Sequence, residues 1–318
     1  MTLEELAMST KSAASQSVPS WAHGMFRRSS ISFATGFTDD STRVHWVQSH
    51  AMTGDIRIHS ARPKLNPSDR LEDFDRDTLI LLASVEGGIA TTSWANGVMS
   101  WADWLGFQPY NKYPEHGLLR RVGECMIEVA PSRIYVEDWR FQPSAPGLLV
   151  GLRLIAEIET SGVERPRAGG LVIAGDHAIC SFARVTELPY GTRAQDFVRQ
   201  SDDPVRALRQ VFGCTVDYAV KSNGCFKVVT STDPRRETSI VNVTSDFSAT
   251  KVPGVLSQRL YENPNVTARL WRIDSLESNV EFPLATRAPL DKLAWLDAEA
   301  DTLVDPHRNS AARARICA

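Results

Sequence analysis

From Ser30 onward the chain is built of short runs in which apolar and polar residues alternate, separated by turn residues, which is the pattern of strands with one buried face. The runs are Ser30–Gly36, Thr42–His50, Gly54–His59, Gly88–Trp94, Met126–Val129, Arg133–Phe141, Leu148–Glu159, Gly170–Gly175 and Ala178–Val185. Later, Ser222-Asn223-Gly224 joins Val216–Val220 to Phe226–Ser231, and Asn-Gly predicts a type I′ hairpin. A further strand pair is expected at Ser239–Val243 with Ala268–Ile273. Two segments have helical spacing. Asp75–Glu86 has a capping Asp75, Leu79, Leu82 and Ala83 on one face, and Gly87-Gly88 to stop it; Pro289–Leu303 has proline in its first turn and Leu290, Leu293, Ala294 and Leu296 on one side. The expected fold class is therefore mainly β: an antiparallel lipocalin-like β-barrel with a C-terminal β extension and one or two short helices.

The same pattern divides the chain. Residues 1–18, rich in Ser, Thr and Ala after Leu3–Met8, predict a flexible arm or a dimer-exchange segment, and the barrel is expected over 19–188. The polar stretch from Pro189 to Pro204 marks the internal boundary, followed by a second β-rich half at 189–285 and a helix with a basic tail at 286–318.

Period 2 also sorts side chains by face. Val44, Trp46, Gln48 and His50 share one face of their strand, Asp55, Arg57 and His59 share another, and Tyr135, Glu137 and Trp139 a third. The last two faces mix polar and aromatic groups while their opposites are apolar or nearly so, as expected when a barrel holds a polar cluster inside and packs its outside against other elements. A buried arginine needs a carboxylate, so Arg57 is expected to pair with Asp55 or Glu137. That arrangement serves either as a salt bridge that fixes strand register or as the polar floor of an apolar cavity. In the second reading Glu137 or Asp55 is the acid or base, Tyr135 a hydrogen-bond donor and Arg57 the oxyanion contact.

Five of the eight tryptophans, Trp46, Trp94, Trp101, Trp104 and Trp139, fall between residues 46 and 139 and suit either a core or the walls of a pocket for a flat ligand. Among the histidines, His50 and His59 lie on polar faces and are candidates for an additional base or, with His177, a haem ligand. No GxSxG elbow, P-loop, HExxH or strand-bound GxGxxG occurs, and Ala168-Gly169-Gly170 reads as a turn before a strand. No organic cofactor or metal is expected. The five cysteines have irregular spacing and no CxxC pair, which argues against a zinc site.

Charge narrows the partners. The 318 residues carry 35 Lys plus Arg against 38 Asp plus Glu, a net charge of -3 that gives no overall footprint for nucleic acid or an anionic membrane. Apolar runs fall well short of the roughly 20 residues that cross a bilayer, and no basic-then-apolar leader opens the chain. A cytoplasmic protein that acts on a small molecule is the expectation, with a homodimer among its expected partners.

Thr42–Pro63, TRVHWVQSHAMTGDIRIHSARP, resembles a bacterial family with the pattern T-x-V-x-W-[LV]-Q, then D-[IL]-R-I, then R-P, a family itself similar to the fungal HRI1 proteins with their lipocalin-like barrel. The resemblance continues through WADWLGFQP at 101–109, Glu115–Gly117, IEVAPSRIYVEDW at 127–139 and LVIAGDHAI at 171–179, and weakly through 216–237. It implies that Trp46, Gln48, Asp55, Arg57, Trp101, Tyr135, Glu137 and Trp139 occupy the family's characteristic positions. Ala102, Gly106 and His59 depart from its pattern. Together these features lead to a cofactor-independent enzyme that moves a proton on a small apolar or aromatic molecule, of lyase, isomerase, hydratase or cyclase type. A non-catalytic carrier or sensor and a haem-binding barrel are the alternatives.

Overall fold

The computed structural model describes residues 1–9, 18–109, 116–189, 191–261 and 265–303, with side chains described up to 299. It divides into a large unit, Met1–Leu284, and a small one, Ala285–Ala318.

The large unit holds two antiparallel sheets. The first comprises β1 Gly24–Phe33, β2 Thr38–Asp39, β3 Arg43–Gln48, β4 Met52–Ile58, β5 Glu86–Ala95, β6 Val98–Gly106, β7 Gly117–Val122, β8 Cys125–Val129 and β9 Tyr135–Gln142. β1 pairs with β3 on one side and β9 on the other, so β1 and β3–β9 close into an eight-stranded barrel, with β2 hooked onto the end of β1. Closure needs a strand that bends, and β1 carries a bulge between Arg28 and Ser30 where it meets β9.

The second sheet, β10 Gly147–Glu159, β11 Glu164–Ala174, β12 His177–Phe182, β13 Thr215–Ser222, β14 Cys225–Ser231, β15 Ile240–Val241, β16 Phe247–Ala249, β17 Val255–Arg259 and β18 Val266–Val280, runs in the order β15-β14-β13-β12-β11-β10-β18-β17-β16 and stays open. One face lies on the outside of β3 and β4. The approach is close because glycine sits at the contact: a Cβ on Gly54 would fall 2.7 Å from Ile179, and one on Gly170 would overlap Ile89. His45 leaves the barrel here and stacks on Tyr218 at 4.2 Å; burial, helped by Arg43 and Arg27, lowers its pKa to about 3. The other face of this sheet encloses a second apolar cluster that includes Val150, Leu152, Phe226 and Trp271.

Several sequence expectations change. The barrel ends at Gln142, and β10–β12, placed in it by sequence, begin the second sheet, since alternation marks a strand without naming its neighbour. The start of the expected flexible arm is helix α1, Leu3–Ser9, which buries Leu3 and Leu6 in the second cluster and ties Leu3 N–H to the Thr244 carbonyl at 2.8 Å. Residues 10–17 lie outside those described. The polar stretch after Pro189 forms α3 Ala194–Gln200 and α4 Pro204–Val211, which pack with α2 Arg76–Leu82 through Val198, Leu208, Val211, Leu79 and Leu82. Each has only seven or eight residues, too few for a periodic signal, although Asp203 caps α4 by accepting the Arg206 N–H. α2 is capped by Asp75 as expected but ends at Leu82, because Glu86-Gly87-Gly88 already belongs to β5. β15 pairs with β14 rather than with β18, and Gly169-Gly170 lie within β11 instead of forming a turn. The Asn223-Gly224 hairpin forms, with φ of 52° and 80°. In the small unit a 3-10 turn, Leu290–Lys292, leads into α5, Leu293–Leu303.

Candidate functional site

Register decides which side chains meet inside the barrel. Trp46 lies opposite Asp55 and Val44 opposite Arg57 across β3 and β4; Glu128 lies opposite Glu137 and Met126 opposite Trp139 across β8 and β9; Arg28 of β1 faces Trp139. The inward set of β9 is thus Tyr135, Glu137 and Trp139, as the alternation requires. Aromatic rings fill the middle: Trp46 meets Trp139 at 5.3 Å, Phe26 at 5.4 Å and Trp101 at 6.2 Å. Trp104 covers the inner side of two glycines, its ring 2.8 Å from where a Cβ of Gly88 would stand and 2.5 Å from that of Gly106. The left-handed Asp103 (φ 52°), whose carboxylate accepts the Thr91 hydroxyl at 3.0 Å, separates Trp104 from Trp101.

Next to the rings lies a cluster of carboxyls and guanidiniums. Arg28 donates to Glu137 Oε1 at 2.8 Å and to Asp39 Oδ2 at 3.1 Å, and Arg57 Nε donates to Asp55 Oδ2 at 2.8 Å. Glu137 therefore takes Arg28 as its ion-pair partner, and Arg57 takes Asp55, the first of the two carboxylates expected for it. The Tyr135 hydroxyl donates to Glu128 Oε1 at 3.1 Å.

Burial is the largest influence on the acids. It pushes Glu128 up to about 8, reinforced by the negative charge of Glu137 and opposed by Tyr135, Arg57 and Trp139. The Trp139 indole N–H favours the ionised carboxylate yet falls short of a hydrogen bond with any described residue. Asp55 is raised for the same reason, against the pull of Arg57, and its Oδ1 is buried without a partner among the described residues. Arg57 is held charged chiefly by Asp55, and Tyr135 is held neutral by burial and the two glutamates. Protein atoms crowd Arg57, while 39% of its side chain is open to solvent. The site thus places Glu128, raised well above the ordinary carboxylate range by burial, beside an ion-paired Glu137, next to Arg57 and an aromatic floor.

Not every expected residue reaches this cluster. β3 ends at Gln48, so His50 belongs to the following turn; its Nε2 is 2.7 Å from Glu277 Oε1 of β18, and its ring meets His23 edge-on at 4.5 Å. His59 lies beyond the end of β4, exposed, with Nδ1 3.2 Å from the Thr42 hydroxyl. His177 pairs with the Tyr218 hydroxyl at 2.9 Å on the second sheet. None of the three lines the barrel interior, so the expected histidine base and the haem ligand have no place there. Gln48 is structural: it accepts the Trp46 indole N–H at 3.2 Å and donates to the Ser49 and Met52 carbonyls at 2.9 and 3.1 Å. Among the described residues no three His, Cys, Asp or Glu side chains converge as a metal set.

Two members of the site escaped the sequence reading, Glu128 and Arg28. Glu128 shares the inward face of a five-residue strand with Met126, and a charged residue at an inward position was its only local signal. Arg28 is drawn into the site by Glu137, 109 residues away, a pairing that no local spacing marks.

No family model matches the chain, and no curated protein does. Among solved structures, an uncharacterized protein from Saccharomyces cerevisiae, YLR301w, is similar over 80% of this chain and 98% of its own length, at 9% identity and a TM-score of 0.42.

Proposed function

We propose that the barrel interior is the active site of a cofactor-independent enzyme that transfers a proton on a small apolar or aromatic molecule, in a reaction of lyase, isomerase, hydratase or cyclase type. The observation that carries this reading is the Glu128–Glu137 couple: two buried carboxyls directly opposite across β8 and β9, one engaged by Arg28 and the other raised by burial and by its neighbour's charge. Neighbouring carboxyls with separated protonation behaviour are a means of holding an acid ready at neutral pH. Glu128 is the proton donor, taking the part that the sequence offered to Glu137 or Asp55. Arg57 contacts the developing oxyanion, Tyr135 orients Glu128, and Trp46, Trp101, Trp104 and Trp139 form the walls. The motif resemblance to the HRI1-like family and a cytoplasmic setting belong to the same proposal.

The test starts with native mass spectrometry of the freshly purified protein to identify any retained small molecule, followed by a turnover screen of molecules of that class. Glu128→Gln is expected to lower turnover about 100-fold, and the wild-type rate to fall as pH rises through about 8, where the acid loses its proton. Full turnover by a folded Glu128→Gln protein rejects the assignment. A second reading, a carrier or sensor, is favoured by the unbonded Trp139 indole N–H in the aromatic floor, a donor that a held ligand would satisfy. It predicts a ligand that co-purifies and is released unchanged.

A further inference from the structure

The second sheet carries a separate concentration of arginine, away from the barrel interior. Glu157 sits on β10 with Arg165 directly opposite on β11 and Arg269 directly opposite on β18. Arg167, two residues along β11, shares the face of Arg165. Arg269 Nε donates to Glu157 Oε1 at 3.0 Å, while Arg167 Nε stays 3.8 Å from Glu157 Oε2, beyond hydrogen-bond reach. Arg165 is engaged by Glu159 at the exposed rim. Three guanidiniums therefore face two carboxylates, and a positive charge is left over.

That surplus resides on Arg167. Its Nε and Nη1 are buried and bond no described residue, a costly state for a guanidinium that is only 15% exposed. The surroundings hold it in place. The Arg269 guanidinium lies 4.0 Å from the centre of the Phe182 ring, which in turn meets Trp271 edge-on at 6.3 Å. Arg236, in the 3-10 turn Pro234–Arg236, is neutralised by Asp217 of β13 through bonds of 2.6–3.1 Å, so it does not compete for a ligand. Two forks that share one carboxylate, with donors still unsatisfied, match the several oxygens of a tetrahedral oxyanion better than a single carbonyl.

We propose that Arg167 and Arg269, at the Glu157 row of the second sheet, form a binding site for a phosphate group, distinct from the barrel site. An incoming phosphate oxygen accepts from Arg167 Nε and Nη1, and Glu157 acts as the internal anion that it partly displaces.

Titration of the full chain with inorganic phosphate, at constant ionic strength set by sodium chloride, tests this by isothermal calorimetry and thermal unfolding. Saturable binding of one phosphate per chain is expected, weakened about 10-fold or more in Arg167→Gln and strengthened in Glu157→Gln, which removes the competing carboxylate. Thermal shifts reproduced by chloride alone would mean an adventitious ion only and would overturn the proposal. So would phosphate affinity unchanged in a folded Arg167→Gln protein. Should that variant fail to fold, Glu157→Gln decides: tighter binding supports the site, and unchanged or weaker binding rejects it. Phenyl phosphate in place of inorganic phosphate then distinguishes a phosphate ester from the free ion, by whether its affinity is the greater.

Discussion

Replacing Glu128 by glutamine changes one titration and little else. The carboxamide oxygen still accepts the Tyr135 hydroxyl, and the side-chain volume is nearly the same. In the unfolded chain Glu128 loses its proton near its ordinary value of 4.5, whereas in the fold it holds it to about 8. Between those values the unfolded state binds fewer protons, so raising the pH favours unfolding. The stabilising effect of the raised value is complete below pH 4.5 and is lost progressively as pH rises to about 8. Each pH unit across that window is worth about 1.36 kcal/mol, so the whole interval amounts to about 5 kcal/mol, comparable with the total stability of many domains. The glutamine protein lacks this loss. Urea unfolding of both proteins at pH 5, 6, 7 and 8 should therefore show a gap that opens with pH, with Glu128→Gln gaining about 1 kcal/mol per unit on the wild type. Titrations common to both proteins cancel in the difference. A difference constant to within about 1 kcal/mol from pH 5 to 8 would show that Glu128 is ionised in the fold at neutral pH, and the proposed proton donor would go with it.

Two further outcomes follow from packing and pairing. Arg28→Met strips the guanidinium from Glu137, which is only 4% exposed, and should cost about 3–5 kcal/mol at pH 7; a loss below about 1 kcal/mol in denaturant unfolding would mean that the pair is not formed. Gly54→Val forces a branched side chain against Ile179 where the second sheet lies on β4, and should destabilise by about 1–3 kcal/mol. Adding Ile179→Ala should recover part of that loss, and strict additivity in the double-mutant cycle would refute the contact.

The inward sets of β4 and β9 were legible because strand geometry forces successive side chains to opposite faces whatever the strand pairs with. That rule placed Asp55 with Arg57, and Tyr135 with Glu137 and Trp139, on shared faces before any neighbour was known. It failed for His50 and His59, where the strands stop at Gln48 and Ile58 and the alternation no longer applies. It also could not separate the two sheets: β10–β12 hold continuous buried apolar stretches that read as strands whichever sheet they join, and their membership rests on β10 pairing with β18 instead of β9.

The sequence by itself determined what is local: strands from period 2, the hairpin from Asn223-Gly224, and the start of α2 from the Asp75 cap, each set by backbone sterics and by hydrogen bonds spanning a few residues. Only the tertiary structure decided that Glu128 stands across from Glu137, that Arg28 rather than Arg57 takes the Glu137 carboxylate, and that Arg167 Nε and Nη1 bond no described residue. Those depend on register between distant strands and on burial, and it is burial, which raises the free energy of the charged form, that lifts Glu128 well above the ordinary carboxylate range.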